Sequence, residues 1–158
     1  GRTRADGFQG HAEYDTIRLV KKNIQIPVIA NGDITNFEKA LFVKEFTGAD
    51  ALMIGRSAMG NPWIFQEINQ KKSISAFLNA TEISTTLIPH IKSLHEFYGP
   101  VKGVMIARKH LLWYLDRHLA KGAWRDQLLK ITEPNLQLQH IKLVLEIVNQ
   151  NKLIPNQQ

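Results

Sequence analysis

Two short apolar runs that each stop at a glycine-containing corner, with a helical pattern between them, predict parallel strands of an α/β fold. The runs are Ile26–Ala30, which leads into Asn31-Gly32-Asp33, and Ala49–Ile54, which leads into Gly55-Arg56. From about residue 66 onward every pattern is helical. We therefore expect the last strands and helices of a (β/α)8 TIM barrel over residues 1–68, followed by an all-α helical bundle domain over residues 69–158.

The helices of the barrel portion follow from apolar spacing and from capping residues. Apolar residues three apart predict a helix from Tyr14 to Lys22, in line with Asp15 in its first turn, where a carboxylate suits the helix dipole. Thr35 or Asn36 can cap the helix between the two strands, and Gly48 is suited to end it.

The second portion contains four helical patterns separated by prolines and glycines. Thr81 or Ser84 is expected to open the first of them, and Pro89 requires either a later start or a kink. Pro100 begins a long helix to about residue 119, a shorter helical segment follows, and Pro134 begins the last helix.

Composition excludes several classes of function. The sequence contains no cysteine, which rules out disulfides, thiolate catalysis and cysteine-ligated metal within these residues. His110 and His118 show no metal-ligand spacing with other candidates, so no metal site is expected. No apolar run approaches the roughly 20 residues of a membrane span, and no basic-then-apolar leader opens the chain. A cytoplasmic protein is therefore expected.

The charge is basic and unevenly distributed. The formal net charge is +6; residues 1–80 hold ten Lys and Arg against eight Asp and Glu, while residues 81–158 hold ten against six. Such a surplus favours a polyanionic partner such as nucleic acid, although many soluble proteins are modestly basic.

The two strand ends are the first candidate site, which we call the corner pair: Asn31, Gly32, Asp33, Gly55 and Arg56. Parallel barrel strands end on the same face, where ligands bind. Gly32 would let backbone N–H groups point at a phosphate, Asp33 could accept from a ligand hydroxyl, and Arg56 offers a fork of donors that matches phosphate. Asn-Gly is also the ordinary sequence of a tight turn, and a lone arginine is often only a surface charge. Together the corners predict binding of a phosphorylated cofactor.

The first residues indicate that the chain is the C-terminal part of something larger. Gly1-Arg2-Thr3-Arg4 reads as the loop after an upstream strand, and a barrel needs about 250 residues. Arg2 and Arg4 could contact the cofactor or an RNA phosphate, or form a basic surface loop.

The long helix from Pro100 carries a second candidate, the basic stripe, which at 100° per residue comprises Lys102, Ile106, Lys109, Trp113 and Arg117. Cations for phosphates and a ring for stacking suit nucleic acid, and a solvated amphipathic face is the alternative. The opposite arc is apolar and is expected to be buried: Val101, Val104, Met105, Ala107, Leu111, Leu112, Tyr114, Leu115 and Leu119.

Arg108 falls within that apolar arc. A buried arginine is costly unless it is paired, so Arg108 is expected either to meet a carboxylate or to reach a ligand through a gap.

Taken together, these residues resemble the tRNA-dihydrouridine synthases, in particular the B-type bacterial subgroup. The segments that carry the resemblance extend over nearly the whole chain: Gly1–Arg4, Ala12–Asp15, Pro27–Ile34, Thr47–Arg56, Gly60–Phe65, Phe97–Pro100, Ile106–His110 and Trp113–Tyr114. The resemblance implies an FMN-bearing barrel and a helical domain that helps to hold tRNA. It also implies reduction of the uridine C5=C6 bond to 5,6-dihydrouridine, with NADPH first reducing the flavin.

Carried over position by position, the corner pair matches the family's FMN phosphate loops. Arg108, Lys109 and His110 match a motif of the helical domain, which implies that they face tRNA, in agreement with the basic stripe around Lys102, Trp113 and Arg117.

The resemblance also implies residues that lie upstream of this sequence. These are the catalytic cysteine that protonates the uracil ring, a lysine near the flavin, the first FMN loop and a histidine just before Gly1. No catalytic residue is therefore assigned in the chain, and we expect it to be inactive alone. Two other functions stay open: another FMN- or phosphate-binding barrel oxidoreductase acting on a small molecule, and a non-catalytic RNA-binding module.

Overall fold

The computed structural model describes residues 12–118 and 124–153. The chain divides after Ser75 into two compact units, which we call the strand unit (residues 1–75) and the helical unit (residues 76–158). The predicted boundary lay at residues 68 and 69. Within the described residues, no helix is long and apolar enough to cross a membrane.

The strand unit is built around a parallel β–α–β element. Its elements in chain order are α1 (Asp15–Asn23), β1 (Ile29–Asn31), α2 (Phe37–Thr47), β2 (Ala51–Met53), a 3₁₀ turn (Arg56–Ala58) and α3 (Ile64–Gln70). The strands pair in parallel, with Ile29 opposite Ala51 and Asn31 opposite Met53. An α/β fold is thus confirmed; the described residues form this two-stranded sheet and not a barrel.

Both strands are shorter than the predicted Ile26–Ala30 and Ala49–Ile54. The N–H groups of Asp50 and Ala51 both donate to the carbonyl of Val28, at the N-terminal ends of the strands. Regular strand pairing therefore begins only after Val28 and Asp50. Pro27 has no N–H to offer a ladder.

Capping fixes the ends of α2 as the sequence predicts. Asn36, rather than Thr35, is the N-cap, and its side chain accepts from the Lys39 N–H at 2.8 Å. Gly48 ends the helix in the left-handed region at φ 69°, where its N–H donates to the carbonyl of Lys44. The buried core of the unit lies where α2 covers the sheet: Tyr14, Ala30, Ile34, Ala40, Val43 and Ala49.

The helical unit contains α4 (Ala80–Tyr98), α5 (Pro100–His118), α6 (Trp124–Lys130) and α7 (Pro134–Leu153), and a 3₁₀ turn (Ser75–Phe77) precedes it. The helix starts expected at Thr81 or Ser84 were wrong. Asn79 is the cap because its side chain accepts from the Glu82 N–H while the Glu82 carboxylate accepts from the Asn79 N–H. The helix α4 continues through Pro89 as one unbroken helix from Ala80 to Tyr98.

Close packing of α5 on α4 decides which face of α5 is buried. A Cβ at Gly103 would lie 2.7 Å from the Cα of His95, so the two backbones are in direct contact there. The buried face is Gly103, Val104, Ala107, Leu111, Tyr114 and Leu115. The predicted arc was wrong for Val101 and Met105, which are 72% and 60% exposed, because the contact is centred on Gly103. Leu119 lies outside the described residues.

Candidate functional site

The structure brings the two halves of the corner pair together. Because β1 and β2 are parallel, both corners follow the same end of the sheet. A guanidinium nitrogen of Arg56, Nη2, lies 2.9 Å from the Asp33 carboxylate oxygen Oδ1. The pair is an ion pair with a hydrogen bond, and Arg56 remains 52% exposed. The guanidinium group therefore holds Asp33 while about half of the side chain stays accessible to solvent.

The chain around Asp33 is held by residues near α1. The Tyr14 hydroxyl donates to the Gly32 carbonyl at 2.7 Å, and the Ala12 N–H donates to the second Asp33 oxygen, Oδ2, at 2.8 Å. Gly32 and Asp33 both have positive φ, at 134° and 46°. An aspartate tolerates this region better than most residues. Both carboxylate oxygens of Asp33 thus have protein donors, so its evident role here is to orient Arg56.

The second corner leaves room at its surface. A Cβ at Gly55 would meet no atom within 4 Å, and a 3₁₀ turn from Arg56 to Ala58 follows it directly. Asn31 is the last residue of β1 and is exposed. The corner thus combines an exposed cation, Arg56, with open space at Gly55, an arrangement that can accept an anionic group.

A carboxylate at the opposite end of the sheet fixes the strands' register. Asp50 accepts from the Lys21 ammonium at 2.6 Å and from the Val28 N–H at 2.7 Å. The Lys21 hydrogen bond, followed by that of Val28, lowers the pKa of Asp50. Asp50 is not among the predicted site residues, although a lone acidic residue inside the predicted strand Ala49–Ile54 was a signal for it.

The basic stripe lies on α5 beside the face that packs against α4. Lys102, Lys109 and Arg117 are exposed, and Trp113 is half-buried. Lys109 Nζ lies over the Trp113 ring at 4.7 Å from its centroid, and Lys102 Nζ lies 5.7 Å from that of Tyr98. Both lysines therefore lie against a ring, which leaves charge and aromatic surface side by side.

Arg108 is half-buried, and within the described part of the chain it forms no ion pair with a carboxylate. Its Nη2 donates to the Ile131 carbonyl at 2.8 Å, and its Nε is buried without a partner. This contact ties α5 to the segment between α6 and α7. The tRNA-facing role of Arg108 stays a prediction.

His110 is half-buried within a group of rings. Its ring contacts His90 of α4, at 5.0 Å between centroids, and Trp113, at 5.2 Å. The hydroxyl of the buried Tyr114 lies 3.4 Å from His90 Nδ1. Burial lowers the pKa of His90 and raises the pKa of the Tyr114 hydroxyl. The pKa of His110 is lowered mainly by burial, and then by the charges of His90 and Lys109. His90 is not among the predicted site residues, because its contact with His110 joins two helices and leaves no local sequence signal.

Arg2 and Arg4 lie outside the described residues. Within residues 12–118 and 124–153, no group of three or more His, Cys, Asp or Glu side chains is arranged to hold a metal ion.

Comparison with known proteins gives a consistent result. A family model described as dihydrouridine synthase (Dus) matches residues 1–151. The chain is 50% identical to the tRNA-dihydrouridine synthase B of Pectobacterium carotovorum and 48% identical to those of Escherichia coli K12 and Yersinia pestis. Each alignment covers 92% of this chain but 46% of the relative. The chain thus spans about half the length of these relatives. By the extent of the match, it belongs to the dihydrouridine synthase family, among its B-type members.

Proposed function

We propose that this chain forms part of a tRNA-dihydrouridine synthase, an FMN-dependent oxidoreductase that uses NADPH to reduce the C5=C6 bond of uridine in tRNA. The observation that carries the proposal is the contact of Asp33 with Arg56, which joins the two strand corners at 2.9 Å. The relatives named tRNA-dihydrouridine synthase B, which are 50% and 48% identical to this chain in sequence, support the same reaction.

The residues of the corner pair fit a flavin phosphate. The accessible guanidinium fork of Arg56 would hold it, Asp33 would keep that fork in place, and the open space at Gly55 would admit it. Gly32 and Asn31 complete the proposed FMN loops at the end of β1, in the last strands of the proposed barrel. When bound, the flavin supplies the hydride for the uracil ring.

The contribution of this chain is therefore binding and orientation. Because the Asp33 carboxylate is paired with Arg56, it repels an incoming dianion less than a lone carboxylate would. The sequence contains no cysteine, so a proton donor of the kind that the resemblance implies would come from outside these 158 residues. We propose that catalysis requires those residues.

The helical unit supplies the proposed tRNA surface. Lys102, Lys109 and Arg117 are exposed on one stripe and Trp113 lies among them, an arrangement that suits phosphates with an adjoining stacking surface. His110 belongs to the same surface. Arg108 would contribute to it indirectly, through its contact with Ile131.

The test is NADPH-dependent formation of dihydrouridine in a tRNA transcript by the full-length protein. We expect Arg56→Ala to weaken FMN affinity about 10- to 100-fold, the loss of a charge-assisted contact. Arg18→Ala, at an exposed arginine of α1, should leave it unchanged. Unaltered FMN binding in Arg56→Ala would contradict the proposed flavin site.

The two alternative functions give different results in the same experiments. A non-catalytic RNA-binding module would lose RNA affinity on charge reversal at Lys109 and Arg117 and would be insensitive to Arg56. A small-molecule oxidoreductase would bind FMN through Arg56 and show no salt-dependent tRNA affinity.

A further inference from the structure

The rings around His110 form a continuous surface that bridges α4 and α5. His90 and His110 meet edge to face at 71°, and His110 and Trp113 at 84°. Lys109 lies over one part of this surface. Such edge-to-face packing holds the rings in fixed orientations. The surface is therefore preorganised rather than assembled by a ligand.

The hydrogen-bonding groups of His110 are available. Among the described residues, its ring contacts other rings, but neither of its nitrogens is hydrogen-bonded to the protein. A neutral imidazole has one donor and one acceptor. Burial disfavours the charged form of both His90 and His110 and lowers the pKa of each, so this surface offers hydrogen bonds rather than positive charge at neutral pH.

The surroundings identify the partner. Lys102, Lys109 and Arg117 are exposed on the same stripe, so an RNA drawn to α5 would place its phosphates on these cations. The neutral rings between them suit a different part of the nucleotide. Unpaired bases in RNA stack on aromatic side chains and present donors and acceptors along their edges.

We infer that His90, His110 and Trp113 form a docking site for an unpaired nucleobase of the bound RNA, separate from the phosphate contacts of the lysines and Arg117. This rests on the proposed function, because it names the part of the tRNA that this surface would contact. His110 hydrogen-bonds the base edge, Trp113 provides stacking surface, and His90 fixes the His110 ring.

The test measures the affinity of the full-length protein for an unmodified tRNA transcript across a salt series. His110→Phe keeps a ring and removes both nitrogens, and His90→Ala removes the α4 ring that packs against His110. Each is expected to weaken binding about five- to tenfold without changing the slope of log affinity against log salt. Lys102→Ala should instead lower that slope by about one. Lys92→Ala, at an exposed lysine of α4 paired with Glu96, serves as the control.

Three outcomes would overturn the inference. Unchanged affinity in both His110→Phe and His90→Ala would contradict it, and so would a reduced salt slope in His110→Phe. A difference between wild type and His110→Phe that widens as the pH falls to about 6 would show a protonated His110 on phosphate. If the protein binds no tRNA, the proposed function fails instead.

Variant folding is checked by thermal unfolding. His110→Gln retains one donor and one acceptor and is expected to recover part of the affinity that His110→Phe loses. A Gln variant that is folded yet as weak as the Phe variant would count against a hydrogen bond from this position.

Discussion

The contact of Gly103 with α4 predicts that Gly103→Ala destabilises the helical unit. Alanine is favoured over glycine in a helix by about 1 kcal/mol, so the substitution alone should stabilise α5. The new methyl group, however, would lie 2.7 Å from the His95 Cα and 2.8 Å from the Leu94 carbonyl oxygen. Both atoms belong to the backbone and cannot rotate away. Overpacking of this kind costs about 1–3 kcal/mol, and it is expected to exceed the propensity gain.

The expected net loss is up to about 2 kcal/mol in the free energy of unfolding. Urea unfolding of the full chain measures it by the fluorescence of Trp113 and Trp124 in the helical unit, to which Trp63 of the strand unit adds a separate signal. The same separation of α4 from α5 should loosen the His90–His110 contact and weaken RNA binding.

Met105→Ala is the matched control, because the side chain is 60% exposed on the same helix and should change stability by no more than about 0.5 kcal/mol. A Gly103→Ala protein as stable as the wild type, or more stable, would refute the reasoning, since the helices could then separate without cost.

Three further perturbations follow from side-chain contacts in the strand unit. Asp33→Ala removes the acceptor that orients Arg56. It should weaken the FMN affinity of the full-length protein about fivefold in a fluorescence titration. An unchanged affinity would mean that Arg56 binds FMN without being oriented by Asp33. Glu67→Ala leaves two backbone N–H groups and a hydroxyl after α3 without their shared acceptor and should cost about 2–4 kcal/mol, with faster proteolysis at residues 71–75; Glu67→Gln should be milder. Asp50→Asn should lower the unfolding temperature at neutral pH. Because the folded state lowers the pKa of Asp50, its contribution is present above the unfolded pKa and is lost as pH falls through the folded pKa, so the two proteins should converge in acid. A gap that persists in acid would show that the charge is not the cause.

Capping residues and prolines made much of the local structure readable from the sequence. Asn36 and Gly48 bound α2 as predicted, and Pro100 and Pro134 each begin a helix, because these signals act within a few residues. The start of α4 differs from the expected Thr81 or Ser84 because the capping box of Asn79 and Glu82, itself a local signal, places it at Ala80.

The family and the candidate residues were also determined by the sequence. The corner pair could be named from two glycine-bearing strand ends, since parallel strands must end on the same side of a sheet. The comparisons confirm the family that these segments indicated.

Only the tertiary structure decided what those residues contact. The helical period placed Val101 and Met105 in the apolar arc. They are exposed because α4 packs against α5 at Gly103, on a different side of the helix. Periodicity gives the angles between side chains around one helix. Which of these side chains is buried depends on where the neighbouring helix packs. Two further contacts depend on the tertiary structure in the same way. Arg108 donates to the carbonyl of Ile131, and His110 packs against His90. In each pair the two residues are more than 19 positions apart in the sequence, so no local pattern encodes the contact.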